Sequence, residues 1–290
     1  MQYRHVFHAG NFADVHKHIA LLQLLAALKK KDKGFLYLDT HSGAGLYDLA
    51  GVDARHSAES TSGIARLESA AAAASVPLPA AIRDYLDAVA RIRQATDGPK
   101  LYPGSPLLAV AALRDGDSAV CVESEAPVSR ALQRALDQIA PLHAARTRVL
   151  HGDGYQALRA QLPPPSRRGL VLIDPPYEAG DEEKQLAAAL REGLERFATG
   201  VLAVWYPIKK RQDSDLWLAR LIRGISRPVL TAEFCLHAPD HGAGLNGSGM
   251  LVVNPPWQLD VQLNEWQPAL ETLLGASGGS RVQWLVRESG

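Results

Sequence analysis

The chain has 290 residues, 47% of them apolar and 21% charged, an ordinary globular composition that fits one enlarged domain or one domain carrying an insertion. Its 31 basic and 31 acidic side chains cancel, which excludes a global field for nucleic acid and leaves any such affinity to local patches. The two cysteines, Cys121 and Cys235, exclude a disulfide framework and a cysteine-based zinc site, and with no apolar N-terminal stretch and no membrane-length apolar run they point to a cytoplasmic protein.

The first predicted element is an amphipathic helix. Asn11 suits an N-cap, the apolar residues Phe12, Val15, Ile19, Leu22, Leu25 and Leu28 recur at helical spacing, and Lys29, Lys30, Lys31 and Lys33 gather where the helix dipole favours cations. After Gly34, residues 35–39 read as a buried strand that runs into His41-Ser42-Gly43-Ala44-Gly45, the opening turn of a nucleotide-type α/β unit. The next convincing strand, 118–122, lies too far downstream for a plain βαβ unit. A helical insertion is therefore expected, with an alanine-rich stretch at 70–74, a break at Pro77 and Pro79, and the periodic residues Ile82, Tyr85, Leu86, Val89 and Ile92. This divides the chain into 1–45, holding the first helix and strand, 46–101, the inserted subdomain, and 102–290, the rest of the main domain. Tyr102-Pro103-Gly104-Ser105-Pro106 closes the insertion, with Ser105 read as an N-cap and Pro106 as the first helical residue.

Regular alternation follows: a strand to Val122, a helix from Pro127, a strand near Val149, a helix from Tyr155, a strand at 170–173, a helix over 186–197 and a strand at 201–205. Alternation of this kind predicts a parallel sheet covered on both faces. Two later strands, 230–236 and 250–253, joined by a glycine-rich loop, predict an antiparallel edge.

The strand at 170–173 stops at Asp174-Pro175-Pro176-Tyr177. Two prolines cannot extend a ladder, so they hold a rigid turn and leave Asp174 at the carboxyl end of the strand, facing a crevice; the same turn also occurs without function. Glu123 follows one strand and is placed to accept both hydroxyls of a ribose. Asp153, in Gly152-Asp153-Gly154, follows another and is placed to receive an adenine amino group. Three carboxylates converging from successive strand ends point to an adenosine-containing cofactor, with the Gly43-x-Gly45 turn allowing close backbone approach. The turn is not a complete dinucleotide fingerprint, which weakens a dehydrogenase reading in favour of S-adenosyl-L-methionine. Asp174, the Pro175 carbonyl and a stacking Tyr177 would then aim a conjugated ring amine, with Asp174 taking its proton only as or after a methyl is transferred.

Other residues are more ambiguous. His5, His8, His16 and His18 suggest a metal, but no further cluster completes a site and none is expected. Tyr3, Arg4 and Lys17 are candidates to touch a phosphate or a base. The lysine cluster, Arg167-Arg168 and Lys209-Lys210-Arg211 are candidate nucleic-acid patches that also read as solvated charge. A second motif copy, Asn254-Pro255-Pro256-Trp257, reads as a structural turn, because an antiparallel strand would carry it to the opposite rim.

These motifs resemble the bacterial RlmJ family, S-adenosylmethionine-dependent enzymes that methylate N6 of one adenosine in large-subunit (23S) ribosomal RNA. The resemblance rests on Tyr3-Arg4-His5-Val6-Phe7-His8-Ala9-Gly10-Asn11 with Asp14, Lys17 and His18, on Thr40 to Gly45, Tyr102 to Pro106 and Arg167 to Tyr177, and on Ser248 to Trp257. It implies a class I methyltransferase, Rossmann-like sheet, mostly parallel with an antiparallel C-terminal edge and an inserted helical subdomain. It also implies cofactor contacts at His18, His41, Gly43, Ser105, Glu123, Asp153, Gly154 and Asp174. Asp174, Pro175 and Tyr177 would be catalytic, and Tyr3 would lie near the RNA. A monomer with neither metal nor membrane association is expected. One departure stands beside Glu123, where Ser124-Glu125-Ala126-Pro127 replaces the family's Leu-His-Pro. The alternatives are a methyltransferase for DNA adenine-N6 or another ring amine, and a non-catalytic ribosome-assembly RNA binder. RNA docking is expected on the insertion, through Arg83, Arg91 and Arg93.

Overall fold

In the computed structural model, which describes residues 8–51, 59–139, 141–178, 180–238, 241–242 and 244–287, the strands β1 (Leu36–Asp39), β4 (Ser118–Glu123) and β6 (Gly169–Ile173) are buried almost throughout. Their side chains alternate between two cores. Leu36, Leu38, Val120, Val122, Val171 and Ile173 enter one, and Tyr37, Ala119, Cys121, Leu170 and Leu172 enter the other. Burial on both faces is what a covered parallel sheet requires.

The sheet also contains β5 (Thr147–His151), β7 (Val201–Ile208), β8 (Val229–Cys235), β9 (Gly247–Val253) and β10 (Gly279–Val286), in the order β10-β8-β9-β7-β6-β1-β4-β5. Pairing from β5 to β7 is parallel, and β9, β8 and β10 add in antiparallel fashion. This is the mostly parallel sheet with an antiparallel C-terminal edge that was expected, and β10, which the sequence reading missed, forms the outermost strand. The chain runs outward from β1 to β4 and β5, then returns to β6 and β7 on the other side of β1. That reversal opens a crevice at the carboxyl ends of the strands, the usual ligand position in open α/β sheets.

One face of the sheet carries α1 (Phe12–Lys29), α2 (Ile64–Ala73), α3 (Ala80–Thr96), α4 (Ser105–Ala111), α5 (Ala126–Ile139) and α9 (Leu259–Leu274); the other carries α6 (Gly154–Gln161), α7 (Glu182–Arg196) and α8 (Arg211–Leu221). Between β1 and β4, a two-stranded ribbon of β2 (Leu46–Asp48) and β3 (Leu101–Pro103) brackets α2 and α3. Ile64, Leu67, Ile82, Tyr85, Val89 and Ile92 of these helices share one core with α1 and α9, so the bracketed helices are fused to the body.

Asn11 caps α1 as expected, its side-chain oxygen accepting from the Asp14 N–H at 2.9 Å. The cap of α4 differs from expectation. Gly104 occupies it, Ser105 is the first helical residue, and the Ser105 hydroxyl is donated to Asp39 instead. Several basic candidates are structural. The Arg168 guanidinium binds the Lys33 and Leu28 carbonyls and so closes the end of α1, while Lys29 donates to the Ala112 carbonyl at 3.0 Å. Arg211 donates to the Gly279 carbonyl at 3.1 Å. Arg93, expected to be exposed, is ion-paired to Glu68 and donates to the Leu101 carbonyl; Arg83 and Arg91 remain exposed. Among the described residues, no helix is long and apolar enough to cross a membrane.

Candidate active site

A cavity of about 700 Å³ opens at the carboxyl ends of β1, β4, β5 and β6. His41, Gly43, Ser105, Glu123, Asp153, Gly154 and Asp174 all line it, together with Lys17, Thr40 and Tyr47. Backbone geometry shapes the wall at two glycines. Gly43 has φ +63°, and a side chain there would strike the Tyr47 hydroxyl, while a Cβ at Gly154 would lie 2.1 Å from the Thr40 carbonyl oxygen.

Glu123 is held by the turn it faces, one carboxylate oxygen accepting from the Gly43 N–H at 2.9 Å and the other from the Glu125 N–H at 2.8 Å. The Glu125 donor is a main-chain N–H, so the Ser-Glu-Ala-Pro departure leaves this support of the carboxylate intact. Asp153 caps α6, accepting from the Gln156 N–H at 2.8 Å. Beneath the glycine turn lies Asp39, which sequence reading did not single out. It accepts from the Tyr37 hydroxyl at 2.8 Å, the Ser105 hydroxyl at 2.7 Å and the His41 N–H at 3.3 Å. Burial raises its pKa, so its three donors partly replace lost hydration. Burial also lowers the pKa of His41 to about 4, which keeps the ring neutral at physiological pH.

The Asp174 side of the cavity is built on an ion triad. Lys17 Nζ lies 2.7 Å from Asp174 Oδ2 and 2.8 Å from Asp14 Oδ1, with the Lys17 side chain only 4% exposed. Burial alone would lower the Lys17 pKa, but Asp14 and Asp174 outweigh it and hold the ammonium well above its usual range. Asp174 Oδ1 has no hydrogen-bond partner among the described residues, whereas Oδ2 is committed to Lys17. Lys17 was expected at a phosphate or a base; here it serves a carboxylate.

Three other expected site residues lie elsewhere. His18 is fully buried behind the wall, with Nδ1 bonded to the Tyr102 hydroxyl at 2.8 Å, and does not line the cavity. Tyr177 does not line it either: its hydroxyl is donated to the Trp205 carbonyl and its ring meets Trp205 and Trp217 edge-on at 5.9 and 6.1 Å. Pro175 is buried in the turn while Pro176 reaches the cavity. Tyr3, Arg4 and His5 fall outside the described residues. Asn254 donates to the Ala198 and Gly200 carbonyls at 3.0 and 2.8 Å at the far rim, the structural turn expected of it. Among the described residues there is no cluster of three or more potential metal ligands.

His16 is a core residue. Its Nδ1 lies 3.0 Å from Ser248 Oγ, the Gln267 side-chain amide reaches Nε2 at 3.0 Å, and burial lowers its pKa to about 3. Between about pH 6.5 and 3 the unfolded chain therefore binds a proton at this site that the folded chain does not, so His16 makes stability fall as pH falls. His16→Gln is expected to flatten that dependence by roughly 1.4 kcal/mol per pH unit between about pH 6 and 4. Urea unfolding at stepped pH would measure this, and a slope equal to that of the wild type would refute it.

A family model described as "Ribosomal RNA large subunit methyltransferase D, RlmJ" matches residues 32–286. The chain belongs to the RlmJ family. Ribosomal RNA large subunit methyltransferase J of Escherichia coli (strain K12) is 40% identical over 290 residues, covering 99% of this chain and 100% of that protein. The protein of the same name from Haemophilus influenzae is 39% identical over 297 residues with the same coverage. A crystal structure of a protein from Legionella pneumophila superposes with a TM-score of 0.82 at 32% identity, covering 96% of this chain and 98% of that one. The RlmJ likeness thus spans both the parallel sheet and its antiparallel edge, and the chain is an RNA methyltransferase.

Proposed function

We propose that this chain transfers a methyl group from S-adenosyl-L-methionine to N6 of a single adenosine in 23S ribosomal RNA. The observation that carries the reading is the convergence of Glu123, Asp153 and Asp174 on one cavity, with one oxygen of Asp174 held by Lys17 and the other unpaired within the described chain. The donor set suits an adenosine cofactor: a carboxylate at the end of β4 for the ribose hydroxyls, a second after β5 for the adenine amine, and a wall at Gly43 and Gly154 that a Cβ would obstruct. When bound, the cofactor supplies an electrophilic methyl group. Around it, His41 and Ser105 complete the wall, and His18 acts from behind by setting Tyr102.

On the acceptor side, the Asp174 oxygen not held by Lys17 and the Pro175 carbonyl accept the two N–H groups of the adenine amine. The nitrogen lone pair is thereby aimed out of conjugation, and Asp174 takes a proton as or after the new bond forms. Tyr177, held by Trp205, offers a ring for the base, a contact worth roughly 1–3 kcal/mol. Lys17 holds Asp174, while Tyr3 and Arg4 contact the RNA. The reading needs no metal, because the electrophile already carries its leaving group, and it places the enzyme in the cytoplasm as a monomer. RNA would follow the rim at Lys209 and Lys210, exposed just after β7, and the segment 46–101 with Arg83 and Arg91.

Labelled methyl transfer to unmodified large-subunit ribosomal RNA, set beside DNA of the same sequence, tests this. N6-methyladenosine at one RNA position is expected, and equal methylation of DNA would overturn the substrate assignment. In the same assay, Lys209→Glu with Lys210→Glu is expected to raise the RNA KM roughly tenfold and to reduce the logarithmic salt slope by about 2, with kcat little changed.

A further inference from the structure

Trp205 occupies the β7 position one step beyond the last pair of the β6–β7 ladder, Ile173 with Val204, and so stands beside Asp174. Its neighbours Ala203, Val204 and Tyr206 are buried, whereas the indole is left partly open. Lys17 Nζ lies over the ring, 5.6 Å from its centroid. Tyr177 meets the ring edge-on at 5.9 Å and 61°, and its hydroxyl is donated to the Trp205 carbonyl. The indole N–H is itself anchored, donating to Ser248 Oγ at 2.9 Å. Ser248 in turn donates to the Ala13 carbonyl at 3.2 Å and lies 3.0 Å from His16 Nδ1, with Gln267 beyond at His16 Nε2. A run of buried polar contacts from α9 through α1 and β9 thus fixes the plane of one indole ring.

We propose that Trp205 is a positioning residue for methyl transfer, its fixed ring setting both the Lys17 ammonium that orients Asp174 and the Tyr177 ring that receives the acceptor base. The proposal rests on the methyltransferase reading above. An ammonium over an aromatic face is attracted by the ring quadrupole, and more strongly where water is excluded. Between Asp14 and Asp174, Lys17 has two carboxylates pulling in different directions, and the indole face supplies the third point that defines where Nζ rests. Tyr177, at φ +56°, has a backbone conformation that few side chains adopt, and the Trp205 edge and carbonyl hold it there. Neither Lys17 nor Tyr177 depends on this ring for its chemistry, so its loss should degrade alignment without touching the cofactor.

The test uses the full-length protein with Trp205→Leu, Trp205→Phe and Ser248→Ala, measuring kcat and KM on a ribosomal RNA fragment and cofactor affinity by calorimetry. Trp205→Leu is expected to lower kcat roughly 30-fold with cofactor affinity unchanged, the size of a desolvated cation–π contact. Trp205→Phe, which keeps a ring face, should recover most of that loss, and Ser248→Ala, which frees the indole N–H, should fall between. Independently of turnover, NMR of lysine-labelled protein should show ring-current-shifted Lys17 ε protons in the wild type and Trp205→Phe but not in Trp205→Leu. Wild-type kcat in Trp205→Leu, or equal losses in Trp205→Leu and Trp205→Phe, would overturn the proposal. Should Trp205→Leu fail to fold, unchanged kcat in Ser248→Ala would overturn it instead. A wild type inactive on RNA sinks the underlying reading, and the Lys17 shift then decides the positioning claim alone.

Discussion

Asp174→Asn is expected to lower methyl transfer to ribosomal RNA by roughly 10³-fold or more while leaving S-adenosyl-L-methionine affinity within a few-fold of wild type. The substitution keeps the shape of the side chain, and the amide oxygen still accepts from Lys17, so the fold should tolerate it. On the other side of the group, however, an NH₂ now points at the acceptor amine in place of a carboxylate oxygen that has no hydrogen-bond partner among the described residues. Two donors then face each other, the amine loses the acceptor that turns its lone pair toward the methyl group, and no base remains to take its proton. Asp174→Ala should lose as much activity and a little more stability, because Lys17 keeps Asp14 as a partner at 2.8 Å. Single-turnover transfer of a labelled methyl group, with calorimetry for the cofactor, separates the two effects. If Asp174→Asn retained more than about a tenth of wild-type turnover, carboxylate chemistry at this position would be refuted.

How far the site could be read in the sequence depended on sequence distance. Asp174, Glu123 and Asp153 were legible because each ends a short apolar run, and strand polarity alone brings such ends to one rim. The turn at Asn254 was legible for the complementary reason, an antiparallel strand ending at the far rim. The ion triad was not, since Lys17 and Asp174 are 157 residues apart, although Asp14 with Lys17 at i,i+3 hinted at a buried pair. His18 follows the same logic. Its place in the motif marks it as important, but whether it faces the cavity or lies behind Tyr102 depends on how α1 rolls on the sheet. Strand β10, Gly279–Val286, escaped because Arg281, an exposed Gln283 and partial burial of the other residues give it the mixed pattern of an edge. Ser105 was misread as a cap because its hydroxyl serves Asp39, a partner 66 residues away.

Lys17→Met should cost about 3–5 kcal/mol of stability and nearly all activity, the larger part of the stability loss arising from what is left behind. In the wild type, the Lys17 pKa is raised above its unfolded value, so its contribution is fully present below about pH 10 and disappears only as pH climbs through the folded value. Stability from this residue is therefore flat across the physiological range. Removing the cation leaves the buried carboxylates Asp14 and Asp174, with side chains 3% and 14% exposed, without the ammonium they share. Urea unfolding of the variant measures the deficit, and a loss below about 1 kcal/mol would show that the ammonium does not hold the triad together. Adding Asp14→Asn to Lys17→Met should restore more than half of the lost stability by removing the like charge. Methyl transfer should stay low in the double variant, because Asp174 still lacks the ammonium that orients it.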